Sequence, residues 1–382
     1  MRTIYLDFNA TTPVVPEVFD AMRPYFLELY GNPSSAHHMG DKPASAVRDA
    51  RARVAAFVGC ADAEVVFTSC GTESNNIALR GVLDSSKGKH VVTTAVEHSA
   101  VLNPVKRLGS QGYETTFLSV DRGGRMNLDE LRAALRDDTA LVSVMFANNE
   151  TGVMFPIDRI AEIVHARGIP LHVDCVQGVG KVPINIETLG ADLVSFSAHK
   201  FHGPKGVGAL VVRKGTKWLP VFLGGGQERN RRPGTENVAG IVGMAAACQY
   251  AEAHFADYQT RVRALRDRFE SELLERVPDS FVNGIASERL PNTSSLGFHG
   301  IDGHALLVLL DEIGICVSAG SACKSGSNLP SHVLAAMGLA PEEAACCLRF
   351  SLSSLSTEDE IATCIEQIPA VVARMRRNFI SA

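Results

Sequence analysis

Seven short runs rich in β-branched and other apolar residues punctuate the chain between positions 64 and 213, at 65–68, 90–94, 115–120, 141–146, 171–173, 193–196 and 208–212. Segments of helical period stand between several of them; 128–135 and 157–166 repeat apolar residues three and four apart, the spacing of one helix face. Parallel strands need a long crossover, and a helix of this length provides one. The alternation therefore confines this stretch to an α/β fold around a mostly parallel sheet.

A glycine-rich stretch, 224–226 and Gly234, breaks the pattern. A run of helix formers from Glu236 to about Val277 follows and reads as a connection between two units. Beyond it, strands expected at 295–298, 315–318 and 348–352 alternate with helices expected at 304–313, 330–337 and 357–377, the pattern of a smaller α+β domain. The N-terminal dozen residues are expected to pack with it. The expected division is a large domain of residues 14–255 and a discontinuous small domain of 1–13 and 256–382.

Composition excludes several function classes. With 46% hydrophobic and 21% charged residues over 382 positions, the chain can build a sizeable core and is not a disordered tail. The 37 Lys and Arg against 42 Asp and Glu leave a net charge of −5, so no basic footprint points to nucleic acid. Its longest uncharged runs, such as 237–251, are interrupted by Gly, Asn and Gln, and no membrane span is expected. Asp7 precedes any signal-peptide apolar core, so the cytoplasm is the expected compartment. Nine cysteines without a Cys-x-x-Cys pair argue against a disulfide framework or a metal site built from this chain alone.

Three segments carry chemistry. Thr68-Ser69-Cys70-Gly71-Thr72-Glu73-Ser74-Asn75-Asn76 ends a strand and opens a helix, which reads as an anion site or as a plain capped helix start closed by Glu73. Neither a Walker A pattern nor a dinucleotide fingerprint is present, and Gly203-Pro204-Lys205-Gly206-Val207-Gly208 precedes a strand instead of opening a helix. Asp174 ends the apolar run 171–173, where a carboxylate requires a cationic partner or donors, or else caps the next helix. Lys200 follows the run 193–196 and precedes the rigid Gly203-Pro204-Lys205-Gly206; it reads as a desolvated, nucleophilic amine or as an ordinary solvated lysine. An acid and a lysine at two strand ends of one sheet are the pair that a pyridoxal phosphate enzyme uses.

Tyr5-Leu6-Asp7-Phe8-Asn9-Ala10-Thr11-Thr12-Pro13, Gly31-Asn32-Pro33-Ser34-Ser35, the Thr68 to Ser74 segment, Glu97-His98, Ala147-Asn148-Asn149-Glu150-Thr151-Gly152, His172-Val173-Asp174, Ser197-Ala198-His199-Lys200 and Arg232-Pro233-Gly234-Thr235-Glu236-Asn237 occur in this order. The set resembles the NifS/IscS-type cysteine desulfurases, class V aminotransferase-like enzymes of fold type I. That resemblance implies a large domain with a seven-stranded sheet, pyridoxal 5'-phosphate as cofactor, L-cysteine as substrate and a homodimer. It also implies sulfur delivery to an acceptor or scaffold protein, as in iron–sulfur cluster assembly.

By that resemblance Lys200 is the lysine that carries the cofactor and moves protons, and Asp174 keeps the pyridine nitrogen protonated. His98 matches the histidine stacked on the ring and an acid/base group; alone it would read as a satisfied core histidine. Gln177 and Asn149 match the amides near the ring's phenolic oxygen, and Asn149 also lies near the substrate carboxylate. Gly71, Thr72, Ser197 and His199 match the phosphate cup, Thr235 the residue supplied to that cup by the neighbouring subunit, and Arg349 the grip on the substrate carboxylate.

Cys323, in Ser318-Ala319-Gly320-Ser321-Ala322-Cys323-Lys324, matches the nucleophilic cysteine that receives sulfur as a persulfide. It alone among the cysteines stands in a Ser-, Gly- and Ala-rich stretch, whereas Cys316 lies on an apolar run. The usual motif in that family is Ser-Ser-Gly-Ser-Ala-Cys-Thr, and many members carry an extended tail that docks a scaffold protein, so the acceptor is open. The segments 222–230 and 289–293 also resemble selenocysteine lyases, which keeps release of selenium from L-selenocysteine as an alternative; a non-catalytic scaffold subunit of a sulfur-transfer complex is another.

Overall fold

The structure, a computed structural model, describes residues 3–320 and 331–380. Its strands are β1 (Ile4–Tyr5), β2 (Val65–Thr68), β3 (His90–Thr94), β4 (Glu114–Leu118), β5 (Thr139–Met145), β6 (Leu171–Asp174), β7 (Leu193–Ser197), β8 (Gly208–Val212), β9 (Ser280–Val282), β10 (Thr293–Phe298), β11 (Ile315–Cys316) and β12 (Cys347–Ser351). Seven of them form one sheet in the order β2-β8-β7-β6-β5-β3-β4. It is parallel except at β8, which runs antiparallel to both β2 and β7. The link from β7 to β8 holds a single 3-10 turn, Ala198–Lys200, and is too short for a parallel crossover.

Both faces of this sheet are covered. Val65, Phe67, Ala209 and Val211 point into one apolar core, while the intervening Val66 and Leu210 point into another on the opposite face. These strands therefore read as continuous apolar runs instead of alternating ones.

A separate apolar core lies beside the three-stranded sheet β12-β10-β9. Leu265, Phe269 and Leu273 recur four apart on the helix Arg263–Arg276 and meet Ile361, Ile365, Ile368 and Val372 of the helix Glu358–Ile380. Ile4 and Leu6 belong to this core, and β1 pairs in parallel with β11.

The run 236–277 is three pieces: the helix Val238–Asp257, a π-helical turn Tyr258–Val262 and the helix Arg263–Arg276. The turn falls where the chain passes from one core to the other, since Ala251 packs in the first and Tyr258 and Val262 in the second. Of the run expected at 315–318, only Ile315–Cys316 pairs with β1; Ser318 bridges Arg349 instead. No helix among the described residues is long and apolar enough to cross a membrane.

Candidate active site

The strand ends Asp174 and Ser197, the turn Ala198–Lys200 and the start of the helix Gly71–Ser85 converge on a cavity of about 240 Å³. Gly71, Thr72, His98, Asn149, Asp174, Gln177, Ser197, His199 and Lys200 all line it. It lies at the carboxyl ends of parallel strands, where open α/β sheets leave a crevice.

Asp174 is buried, accepting from Asn75 Nδ2 at 2.6 Å and from the Val176 N–H at 2.9 Å. Burial raises its pKa, while the charge of His98 and these donors act the other way. Such a carboxylate is suited to a cation brought into the cavity. Asn75 was not singled out from the sequence. It stands four residues after Gly71 and so on the same helix face, a spacing that was available to find it.

The first turn of the helix Gly71–Ser85 has no side-chain cap. Glu73 does not close it: Glu73 accepts from the Ser69 N–H at 2.8 Å and pairs with Arg232 at 2.7 Å. The donors of a fifteen-residue helix thus remain free for an anion beside Ser197 and His199. A Cβ on Gly71 would lie 2.7 Å from Val176 Cγ2, and one on Gly208 2.7 Å from the Cys70 carbonyl carbon. A side chain at Gly208 would displace the backbone at the helix start, and one at Gly71 would displace Val176. His199, next to Thr11 Oγ1 at 3.1 Å, has its pKa lowered to about 4 by burial and the cations around it, and is a neutral hydrogen-bonding group.

Lys200 Nζ donates to the backbone oxygens of Asn9 and Ala10 at 2.7 and 2.9 Å. His98 caps the helix Ser99–Leu108, its Nδ1 accepting from the Ala100 N–H at 3.1 Å, which leaves the ring hydrogen on Nε2. Burial lowers its pKa, Lys200, His332 and Arg349 add to that, and Asp174 opposes it.

Beside it Glu97 is fully buried, with Oε1 accepting from Thr94 Oγ1 and the Met145 N–H at 2.7 and 3.0 Å. Burial pushes its pKa from 4.5 up to about 8. The folded protein therefore holds a proton across that window which the unfolded chain has released, and stability falls as pH rises through it. Glu97→Gln is expected to flatten this fall, read as the urea midpoint at pH 5 and pH 8; equal falls in both proteins would refute the assignment.

Arg349 is buried on β12, donating to Asn149 O at 3.0 Å and to Asp7 Oδ1 at 2.6 Å. Its Nε has no hydrogen-bond partner among the described residues. It does not itself line the cavity but touches Asn149, which does. Its backbone also exchanges hydrogen bonds with Ser318 at 2.7 and 3.1 Å. Cys323 lies outside the described residues. The chain on either side of that segment comes together at Glu150: Ser331 Oγ donates to Glu150 Oε2, and a Cβ on Gly320 would stand 3.3 Å from both that oxygen and Ser331 Cβ.

Thr235 is exposed and is not brought to this cavity. The segment before it is nevertheless firmly anchored. Glu228, Arg229 and Asn230 take φ of 47, 59 and 63°, a left-handed run that costs about 1 kcal/mol or more per non-glycine residue. A buried two-pronged pair between Arg51 and Glu228, at 2.8 and 2.7 Å, holds it in place.

The aminotransferase class-V family model matches residues 4–363. The chain belongs to the class-V aminotransferase family, among its cysteine desulfurases. A cysteine desulfurase of Trichormus azollae is 51% identical across 98% of this chain and 94% of its own length. A solved NifS-like protein superposes with a TM-score of 0.91 at 38% identity, covering 97% of this chain and all 100% of that one. SspA in complex with cysteine superposes at 0.82 and 33% identity, over 92% of this chain and 99% of its own. Class-V aminotransferases depend on pyridoxal phosphate, and the large mixed sheet with its smaller companion is the fold type I arrangement of these enzymes. The cavity fits that group chemically: an uncapped helix start and a neutral imidazole for a dianion, a buried acid for a pyridinium, and an amine within the same walls.

Proposed function

We propose that this cysteine desulfurase holds pyridoxal phosphate in the Lys200 cavity and converts L-cysteine to L-alanine, with Cys323 taking the sulfur. The observation that carries the reading is the meeting of Asp174, Lys200, His98 and the free start of the helix Gly71–Ser85 around one cavity. When bound, the cofactor supplies an aldehyde for amines and a ring that accepts the electron pair left at the substrate α carbon.

The chain's own groups divide the remaining work. Gly71, Thr72, Ser197 and His199 bind the phosphate, and Asp174 keeps a proton at the pyridine nitrogen. Gln177 and Asn149, which line the same cavity, would offer their amides to the phenolic oxygen. Lys200 is the amine that attaches the cofactor and the base that moves the α proton of cysteine; His98, with its hydrogen on Nε2, is the second proton carrier. The Nε of Arg349, which has no partner among the described residues, is a donor for the substrate carboxylate, and Asn149 borders the same place.

Cys323 as thiolate forms an S–S bond with the substrate sulfur while the substrate Cβ–S bond breaks. The electron pair stays with Cβ, which takes a proton, so the organic product is alanine and Cys323 carries a persulfide. A protein acceptor removes that sulfur.

We further propose a homodimer in which Thr235 of each chain completes the other's phosphate cup, supported by its exposure on an anchored segment away from its own cavity. The division at residues 13 and 255 into two domains is likewise our reading, supported by the separate core of the C-terminal part. A cytoplasmic setting accords with the eight described cysteines, none of which is in a disulfide.

Product analysis with L-cysteine and L-selenocysteine in parallel tests the reaction. Alanine and persulfide from cysteine are expected. Turnover of selenocysteine alone would replace this reading with the lyase, and a colourless protein inert to both would leave a scaffold subunit.

A further inference from the structure

Lys181 is among the largest wholly buried side chains, with 1% of its surface exposed. It makes no ion pair among the described residues. Its Nζ donates instead to two amide oxygens, Asn9 Oδ1 at 2.8 Å and Gln177 Oε1 at 2.5 Å. A buried lysine without a carboxylate needs a reason, because desolvation disfavours its charged form. Burial, followed by the charges of Lys200 and Arg349, drives its pKa well below the usual lysine range. Both oxygens that face the amine are acceptors, so it donates to each.

The partners of Gln177 explain the arrangement. Gln177 Nε2 donates at 3.0 Å to the Asn9 backbone oxygen, the same oxygen that accepts from Lys200 Nζ at 2.7 Å. Rotating the amide would set Oε1 against that carbonyl oxygen and Nε2 against the donors of Lys181. Asn9 is braced in the same way: its Oδ1 accepts from Lys181 and from Asn292 Nδ2 at 3.1 Å, which directs its Nδ2 to Asn149 O at 3.2 Å and Thr293 Oγ1 at 2.8 Å.

Resting on the cofactor reading above, we propose that Lys181 is a positioning residue: it fixes the side-chain amide of Gln177 with nitrogen on the Lys200 side, so that the cavity meets a donor there, and braces the Asn9 turn that holds the Lys200 amine. It touches neither the cofactor nor the substrate and acts through Gln177 and Asn9.

Titration of apoenzyme with pyridoxal phosphate, followed by the absorbance of the bound cofactor, reads this without reference to turnover. Lys181→Met keeps an unbranched side chain, one atom shorter, and removes both donors. It is expected to weaken cofactor affinity about tenfold and to move the absorbance maximum. In a Gln177→Ala background the same change should weaken affinity less than about threefold, because the group through which it mainly acts is gone. Unchanged affinity and spectrum in folded Lys181→Met, or an equal loss in both backgrounds, would overturn the proposal. Should Lys181→Met not fold, neutron diffraction from the wild-type holoenzyme decides: deuterium on the Gln177 atom facing Asn9 O supports the assignment, and deuterium on the atom facing Lys181 overturns it. Wild-type protein that takes no pyridoxal phosphate defeats the cofactor reading itself, whereas binding indifferent to Lys181 defeats only this inference.

Discussion

Lys200→Ala is expected to lose the absorbance of covalently attached cofactor and to lower alanine formation by about 10⁴-fold or more. On the proposed mechanism two functions leave with the one amine, attachment of the cofactor and movement of the α proton, and a positioned base alone contributes about 10² to 10⁴. Nothing described nearby replaces it. Lys181 is wholly buried and committed to Asn9 and Gln177, and His98 accepts a backbone hydrogen bond through Nδ1. The fold should survive, because Lys200 sits in a short turn between β7 and β8 and its amine donates to the backbone oxygens of Asn9 and Ala10, which belong to no strand or helix. Near-normal circular dichroism with a colourless, inactive protein is the expected result; a coloured and active variant would remove Lys200 from the centre of the mechanism.

Cys323→Ala should separate the two halves of the reaction. The cavity groups are untouched by it, so pyridoxal phosphate should bind with wild-type absorbance and affinity. Alanine formation from cysteine should nevertheless fall by about 10³-fold or more, since hydroxide or a free thiol in solution lacks the effective concentration of a tethered thiolate. Single-turnover mixing with cysteine, followed by absorbance and by mass measurement of the protein, distinguishes the cases. A spectral change without alanine and without a gain of one sulfur is expected in the variant, against both in the wild type. Undiminished alanine formation would exclude Cys323 as the sulfur acceptor. Of the described residues that flank it in the chain, Ser318 is hydrogen-bonded to the Arg349 backbone and Ser331 to Glu150.

Much of the large sheet was legible along the chain. All seven runs expected from composition and length appear as β2 to β8, with ends shifted by a residue or two, because a β-branched run flanked by turns is a local signal. Asp174 and Lys200 were legible for a related reason: a charged residue at the end of an apolar strand is conspicuous in one dimension. The small strand β9 and the split of the run 236–277 were not, since three residues carry too little pattern and helix formers give no sign of which core they face.

The polar network of the site belongs to another category. Lys200 reaches Asn9 across 191 positions, Arg349 reaches Asp7 across 342, and Gln177 reaches Asn9 across 168. Asn9, a small polar residue in an N-terminal motif, became the junction of the cavity because β1 pairs with β11 and Asn9 N donates to Ser351 Oγ on β12, which brings the first residues against the last strands. Periodicity and propensity act over a few residues, and so the chain's order was enough for strands, helices and the chemical type of the site. Which donor meets which acceptor depends on how the sheets are threaded together, and for that reason the roles of Asn9 and Lys181 emerge only in the folded molecule.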